Sequence, residues 1–203
     1  MKVLGLTGPT GAGKGAVSAV FLRQYGIPAI DTDRVYHALL VPPSACLNEL
    51  VTAFGSDILT QEGYLDRPAL SKIVFSDPSR EKQLLLNRIT HKFVLDRTSE
   101  LVEEYRRGGA PAVLVDAPLL YESGYNAKCD AVIAVIASEP IRKKRIMERD
   151  HLSEERAVAR LNMQKPDNFY IDRAQYVVVN DGDMHALDDQ IAHIIEDLGV
   201  ICK

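Results

Sequence analysis

The stretch "GLTGPTGAGKGAV", Gly5 to Val17, constrains this chain more than any other. Gly8, Gly13 and Lys14 fill the spacing G-x-x-x-x-G-K, in which successive backbone N–H groups line a concavity for phosphate oxygens ahead of a helix N-terminus. Its context supports this. The apolar run Lys2 to Thr7 precedes the loop, and Ala16 to Tyr25 follows with Val17, Val20 and Phe21 at helical spacing, which predicts strand, loop and helix in that order. The pattern then asks for Ser or Thr, whose hydroxyl sits on the magnesium ion between the outer phosphates. Position 15 is Gly and position 16 is Ala.

Four more β-branched runs, Ile27 to Ile30, Ala112 to Val115, Asp130 to Ile136 and Tyr176 to Val179, read as strands. Five buried strands separated by helical patterns predict an α/β fold with a parallel sheet covered by helices on both faces. Residues 32–111 show no strand-like alternation and several helical patterns, one of them the stretch "REKQLLLNRITHKFVLDRTSELVEEYRRGG" that ends on Gly108–Gly109. We read this region as an all-helical insertion within one domain of 203 residues, the core being 1–31 and 112–203. Ligands of open α/β sheets bind outside the carboxyl ends of the strands, so an insertion after strand two is placed to overhang the loop and form a second substrate's pocket.

A formal net charge of −4 argues against nucleic-acid binding through bulk electrostatics and leaves room for a local basic patch. Apolar runs are too short for a membrane span, and the N-terminus enters a strand without a leader-like segment, so a cytoplasmic protein is expected. Cys46, Cys129 and Cys202 form no C-x-x-C pair and have no His at metal-ligand spacing, which predicts reduced structural thiols.

"IDTD", Ile30 to Asp33, puts two carboxylates past the end of strand two, where strand alternation would point them to similar faces. Two readings are open: one of them caps the following helix, or one accepts the proton of an attacking hydroxyl while the other orients or holds metal. Asp116, last residue of the third strand run, stands where a magnesium-water ligand is expected, and a loop-stabilising role fits its spacing as well. In "PIRKKRIMERD", Arg142, Arg145 and Arg149 share a helix face. That face is either solvated surface or a lid that brings arginines over a transferring phosphoryl group. His37 and His91 accompany no nucleophile and read as packing residues, while Asn180 and Gly182 either border a nucleotide base or make a turn.

The ordered set "TGPTGAGK", "IDTD", "FGSDILTQEGYLDRPALSKIVFSDP", "ITHKFV", "DAPLLYESG", "RIMERD", "LNMQ" and "VVVND" resembles the dephospho-coenzyme A kinase family along nearly the whole chain. Beyond the glycine loop, the most specific piece is the middle segment with Gly63, Leu65, Asp66 and Arg67 as G-x-L-D-R and Phe75 to Pro78 as F-S-D-P. The resemblance implies a three-layer P-loop kinase fold with a helical lid at about 139–165. It implies ATP-dependent phosphorylation, with Mg2+, of the ribose 3′-hydroxyl of dephospho-coenzyme A, the last step of coenzyme A synthesis. A small-molecule acceptor, no nucleic-acid or membrane partner, and a monomer or small homo-oligomer are expected. The nucleotide site would comprise Gly11, Ala12, Gly13, Lys14, Gly15 and Ala16 with Arg149 and Asn180, and the acceptor site Asp33, His91, Leu119 and Arg145. Lys14, Asp33 as base and Arg145 as lid arginine would be catalytic, with Asp116 toward the metal. The chain departs from the family at Gly15, at Ala16 and at His91–Lys92, where His-Pro is usual. Gly15 and Ala16 support one alternative, a nucleotide- or coenzyme-binding paralogue that no longer turns over. The retained Lys14, Asp33, Asp116 and Arg145 favour the kinase.

Overall fold

The computed structural model describes residues 1–200, so Cys202 lies outside the described residues. Strand β1 (Lys2–Thr7) leads through the glycine loop into α1 (Lys14–Tyr25), and β2 (Ala29–Asp31) is followed by α2 (Thr32–Leu39), α3 (Ala45–Phe54), α4 (Arg67–Phe75) and the long α5 (Glu81–Arg107). Then come β3 (Ala112–Asp116), β4 (Ala131–Ile136), α6 (Glu139–Asp150), α7 (Glu154–Asn162), α8 (Asp167–Ile171), β5 (Tyr176–Val179) and α9 (Met184–Asp197). The chain divides into two compact units, Met1–Ile30 with Val102 onward, and Asp31–Leu101.

The sheet has the strand order β2-β3-β1-β4-β5, its last β2 residue, Asp31, opening the second unit. β1 is central. It pairs in parallel with β3 from Lys2↔Ala112 to Leu6↔Asp116, and with β4 from Leu4↔Ala131 to Thr7↔Ala134. A strand with parallel neighbours on both sides has both faces covered, which is why every β1 residue after Lys2 is apolar, Gly or Thr and buried. On one face Leu4, Leu6, Leu114 and Ile133 pack with Val17, Val20 and Phe21 of α1 and Leu187 and Ile191 of α9. Truncating a wholly buried side chain such as Phe21 to Ala costs about 3–5 kcal/mol. On the other side of β1, a Cβ on Gly5 would stand 2.7 Å from Leu120 Cδ2, so glycine lets the segment after β3 lie against the sheet.

The five expected strands are present, with β2 displaced. Ile27 N–H donates to Phe21 O at 3.0 Å and belongs to the end of α1, while Pro28 lacks an N–H and offers only its carbonyl, to Leu114 N at 2.9 Å. Pairing therefore begins at Ala29 rather than at Ile27. α5 ends at Arg107 before Gly108–Gly109, with Gly109 at φ +75°, as expected.

The second unit has its own core of Leu40, Cys46, Leu50, Ile58, Leu70, Val74 and Ile89. Side chains start its helices: Asp31 caps α2, Ser44 caps α3 and Asp66 caps α4. It is not wholly helical, because Leu59 and Leu65 form an isolated antiparallel bridge around the Gly63 turn. Burial raises the Cys46 thiol to about 11 and that of Cys129 to about 12, which keeps both as inert thiols, as the sequence predicts.

Candidate active site

The glycine loop is shaped from outside as much as from within. Gly8, Gly11 and Gly13 have φ of +145°, +79° and +94°. A Cβ on Gly8 would fall 2.1 Å from Val135 O, one on Gly11 2.8 Å from Arg142 O, and one on Gly13 2.1 Å from Asn180 Nδ2. These glycines admit protein backbone and side chains against the loop's outer surface. Gly15 differs: it is exposed and a Cβ there would meet nothing within 4 Å.

Three side chains grip the loop's carbonyls. Arg142 Nε donates to Thr10 O at 3.2 Å, and Arg145 Nη1 donates to Gly11 O and Ala12 O at 3.3 Å each. Asn180 Nδ2 adds a 2.8 Å bond to Ala12 O. Arg145 Nη2 also donates to Asn180 O at 3.0 Å, and the buried Arg142 is paired with Asp167 at 2.9 Å. Gln164 Oε1 accepts from Thr10 N at 3.3 Å. With the carbonyls of residues 10–12 drawn to cationic and amide donors, the α1 N-terminus behind Gly13 has no side-chain cap, and its first N–H groups are left for a ligand. Lys14 Nζ stands 3.5 Å from Gly8 O and 4.0 Å from Asp116 Oδ1, both side chains mostly buried. Among the described residues no group of three or more His, Cys, Asp or Glu is arranged to hold a metal.

The guanidinium of Arg145, for which the resemblance implies a lid role, is held by three backbone carbonyls around the loop. The cause is helical phase, since Arg142 and Arg145, three residues apart, present one face of α6. Arg149, one turn further along, grips the Asp150 carboxylate instead.

Of the "IDTD" pair, Asp31 is the cap. Its Oδ1 accepts from Asp33 N at 2.9 Å and Arg34 N at 3.0 Å, while the Asp33 carboxylate is exposed and takes no hydrogen bond or ion pair among the described residues. Strand alternation does not relate the two, because the strand ends at Asp31 and Asp33 lies in the first turn of α2. Asp33 and the half-buried His91 of α5 belong to the second unit. Leu119, 51% exposed, follows β3 in the first. The structure thus gathers Gly11 to Ala16, Asp116, Arg145 and Asn180 within one unit. Gln164 and Asp167 escaped the sequence reading, although Gln164 ends the "LNMQ" segment on which the family resemblance partly rests; the open choice of a helix cap between Asp31 and Asp33 falls on Asp31.

Sequence and structure comparisons agree in kind. A family profile described as dephospho-CoA kinase matches residues 2–186. The chain is 40% identical over 187 residues to a dephospho-CoA kinase of Moorella thermoacetica, covering 92% of this chain and 87% of that protein. It superposes on a crystal structure from Thermus thermophilus with a TM-score of 0.77 at 32% identity, covering 97% of each chain. A Campylobacter jejuni dephospho-CoA kinase gives 0.70 at 25% identity, covering 97% of this chain and 96% of that one.

Proposed function

The chain belongs to the dephospho-CoA kinase family, and on that premise we propose that it transfers the γ-phosphoryl group of ATP to the ribose 3′-hydroxyl of dephospho-CoA, giving CoA and ADP. The observation that carries the reading is the uncapped α1 N-terminus behind a loop whose carbonyls are held outward, which suits the phosphate chain of a nucleotide. Lys14 brings a point charge to the outer phosphates, and Asp116 lies beside it.

Asp33 is the proposed base. The 3′-oxygen attacks the γ-phosphorus in line, its bond to the β–γ bridging oxygen breaks, and the hydroxyl proton passes to the Asp33 carboxylate. Because Asp31 does the capping, removing the Asp33 carboxylate leaves α2 intact. Arg145 and Asn180 act at one remove, by fixing the carbonyls of the loop. Within the second unit, His91 is proposed to contact the acceptor as Asp33 does, and within the first, Leu119 is the exposed apolar residue proposed to do so.

The open space at Gly15 and the Asp116 carboxylate fit a magnesium ion, which Asp116 would help to hold. When bound, that ion neutralises charge on the outer phosphates. The test is ADP release with ATP and dephospho-CoA together. ADP formed only with both substrates is expected; ATP binding without acceptor-dependent ADP would instead identify a binding paralogue.

A further inference from the structure

Two lysines of α6 each meet one carboxylate, and one carboxylate at the end of α6 is shared. Lys143 meets Glu154 and Lys144 meets Glu148, but Asp150 serves two arginines at once. Arg149 Nε and Nη2 reach Oδ1 and Oδ2 of Asp150 at 2.8 and 2.9 Å, and Arg160 of α7 bonds Oδ2 as well. These bonds hold the Asp150 carboxyl below its usual range, so it stays charged at neutral pH.

An exposed ion pair of this kind is worth little as a fastener. The elbow between α6 and α7 has other support in any case: Ile146, Ala157 and Leu161 pack beneath it, and His151, at φ +51°, returns its N–H to Met147 O. One carboxylate between two guanidiniums leaves one positive charge over. Arg156, exposed and without a carboxylate partner among the described residues, lies one turn before Arg160 on the same face of α7. Like charges four apart oppose the helix, a local conflict of the sort that marks sites where something else supplies the counter-charge. The location agrees, because Arg149 follows Arg145 by one turn on α6, about 6 Å along the axis from the arginine that grips the glycine loop.

We propose that Asp150 is a positioning residue, which holds the guanidiniums of Arg149 and Arg160 side by side so that they, with Arg156, receive oxygens of a polyphosphate chain. This rests on the reading of the chain as an ATP-dependent kinase for the identity of that polyphosphate. Arg149 and Arg160 touch the anion, and Asp150 acts through them.

The sign of one measurement separates this from a surface salt bridge. Asp150→Asn makes the patch more positive by one charge, so a patch acting through its field alone would bind inorganic tripolyphosphate more tightly. Positioning predicts the reverse. In calorimetry on the metal-free protein, Asp150→Asn should bind tripolyphosphate at least threefold more weakly, and Asp150→Glu should recover most of that loss. In the kinase assay, kcat/KM for ATP should fall at least tenfold. Should Asp150→Asn fail to fold, Arg160→Lys reads the same quantity, since it keeps the charge and loses the planar fork. Unchanged or tighter tripolyphosphate binding overturns the proposal, as does a parent protein that does not bind tripolyphosphate. Weaker binding by the variant upholds it whether or not dephospho-CoA proves to be the acceptor.

Discussion

Two helices start just beyond strands of one sheet, and they treat their first N–H groups in opposite ways. α2 is closed: the Asp31 carboxylate accepts from Asp33 N and Arg34 N, and the helix start satisfies itself. α1 is open, with Gly13 in the left-handed region, no side-chain cap, and its neighbouring carbonyls held by Arg145 and Asn180. A capped N-terminus is a structural joint, whereas an uncapped one braced from behind is an anion site. The same contrast sorts the acids after β2: Asp31 is used up as a cap, and Asp33 is left exposed.

The largest expected effect tests that sorting. Asp33→Asn should lower kcat with dephospho-CoA on the order of a hundredfold or more while leaving the melting temperature unchanged, since the base is lost and the cap is not. A loss within a few-fold would return Asp33 to the rank of a surface residue. Next, Arg145→Lys breaks the brace on the open helix. The planar fork that spans the carbonyls of Gly11, Ala12 and Asn180 is lost, so ATP affinity and kcat/KM should fall together by about tenfold. A fall in kcat alone, with ATP affinity intact, would return Arg145 to the transferring group.

Gly15→Ser should have a smaller effect, a few-fold. A hydroxyl placed in the open space at the first turn should lower the magnesium concentration needed for half-maximal turnover and leave ATP affinity, measured separately, nearly constant. Coincident magnesium curves for parent and variant would show that residue 15 does not bear on the ion. The smallest effect belongs to the closed helix: Asp31→Ala should cost about 1 kcal/mol of stability, a melting shift of roughly 2–4 °C, with Asp31→Asn close to the parent. If Asp31→Ala instead abolished turnover at unchanged stability, the roles of Asp31 and Asp33 would have to be exchanged.

Much of this contrast is legible in the sequence, and the part that is not has a physical reason. The strand–loop–helix context of the glycine motif, the run of β3 and the glycine stop of α5 are local patterns, so periodicity and punctuation suffice to find them. The boundary of β2 failed because Pro28 reads as a strand neighbour yet cannot donate to the ladder. Choosing between Asp31 and Asp33 requires knowing on which residue the strand ends, and one residue decides it. The grip of Arg145 on the loop is not legible because its partners are main-chain carbonyls of Gly11 and Ala12, 134 and 133 positions away. A carbonyl has no sequence signature. The surplus of arginines around Asp150 is visible as composition, but the carboxylate they share emerges only when α7 folds back on α6.

The strand order also has a consequence for how the chain comes into being. β1 sits in the middle of the sheet, but Lys2 aligns with Ala112 and Leu4 with Ala131, so its ladder partners emerge from synthesis more than a hundred residues later. Asn180, which grips Ala12 O from the far end of β5, comes later still. The second unit, with its separate core between Asp31 and Leu101, is complete before either edge of β1 can be covered. A nascent chain therefore holds the whole sequence of the second unit while the apolar β1 still lacks its ladder partners, and such edges invite association with other chains. The loop that would hold the nucleotide precedes in synthesis every side chain that braces it, and cannot acquire its final shape until Asn180 has been made.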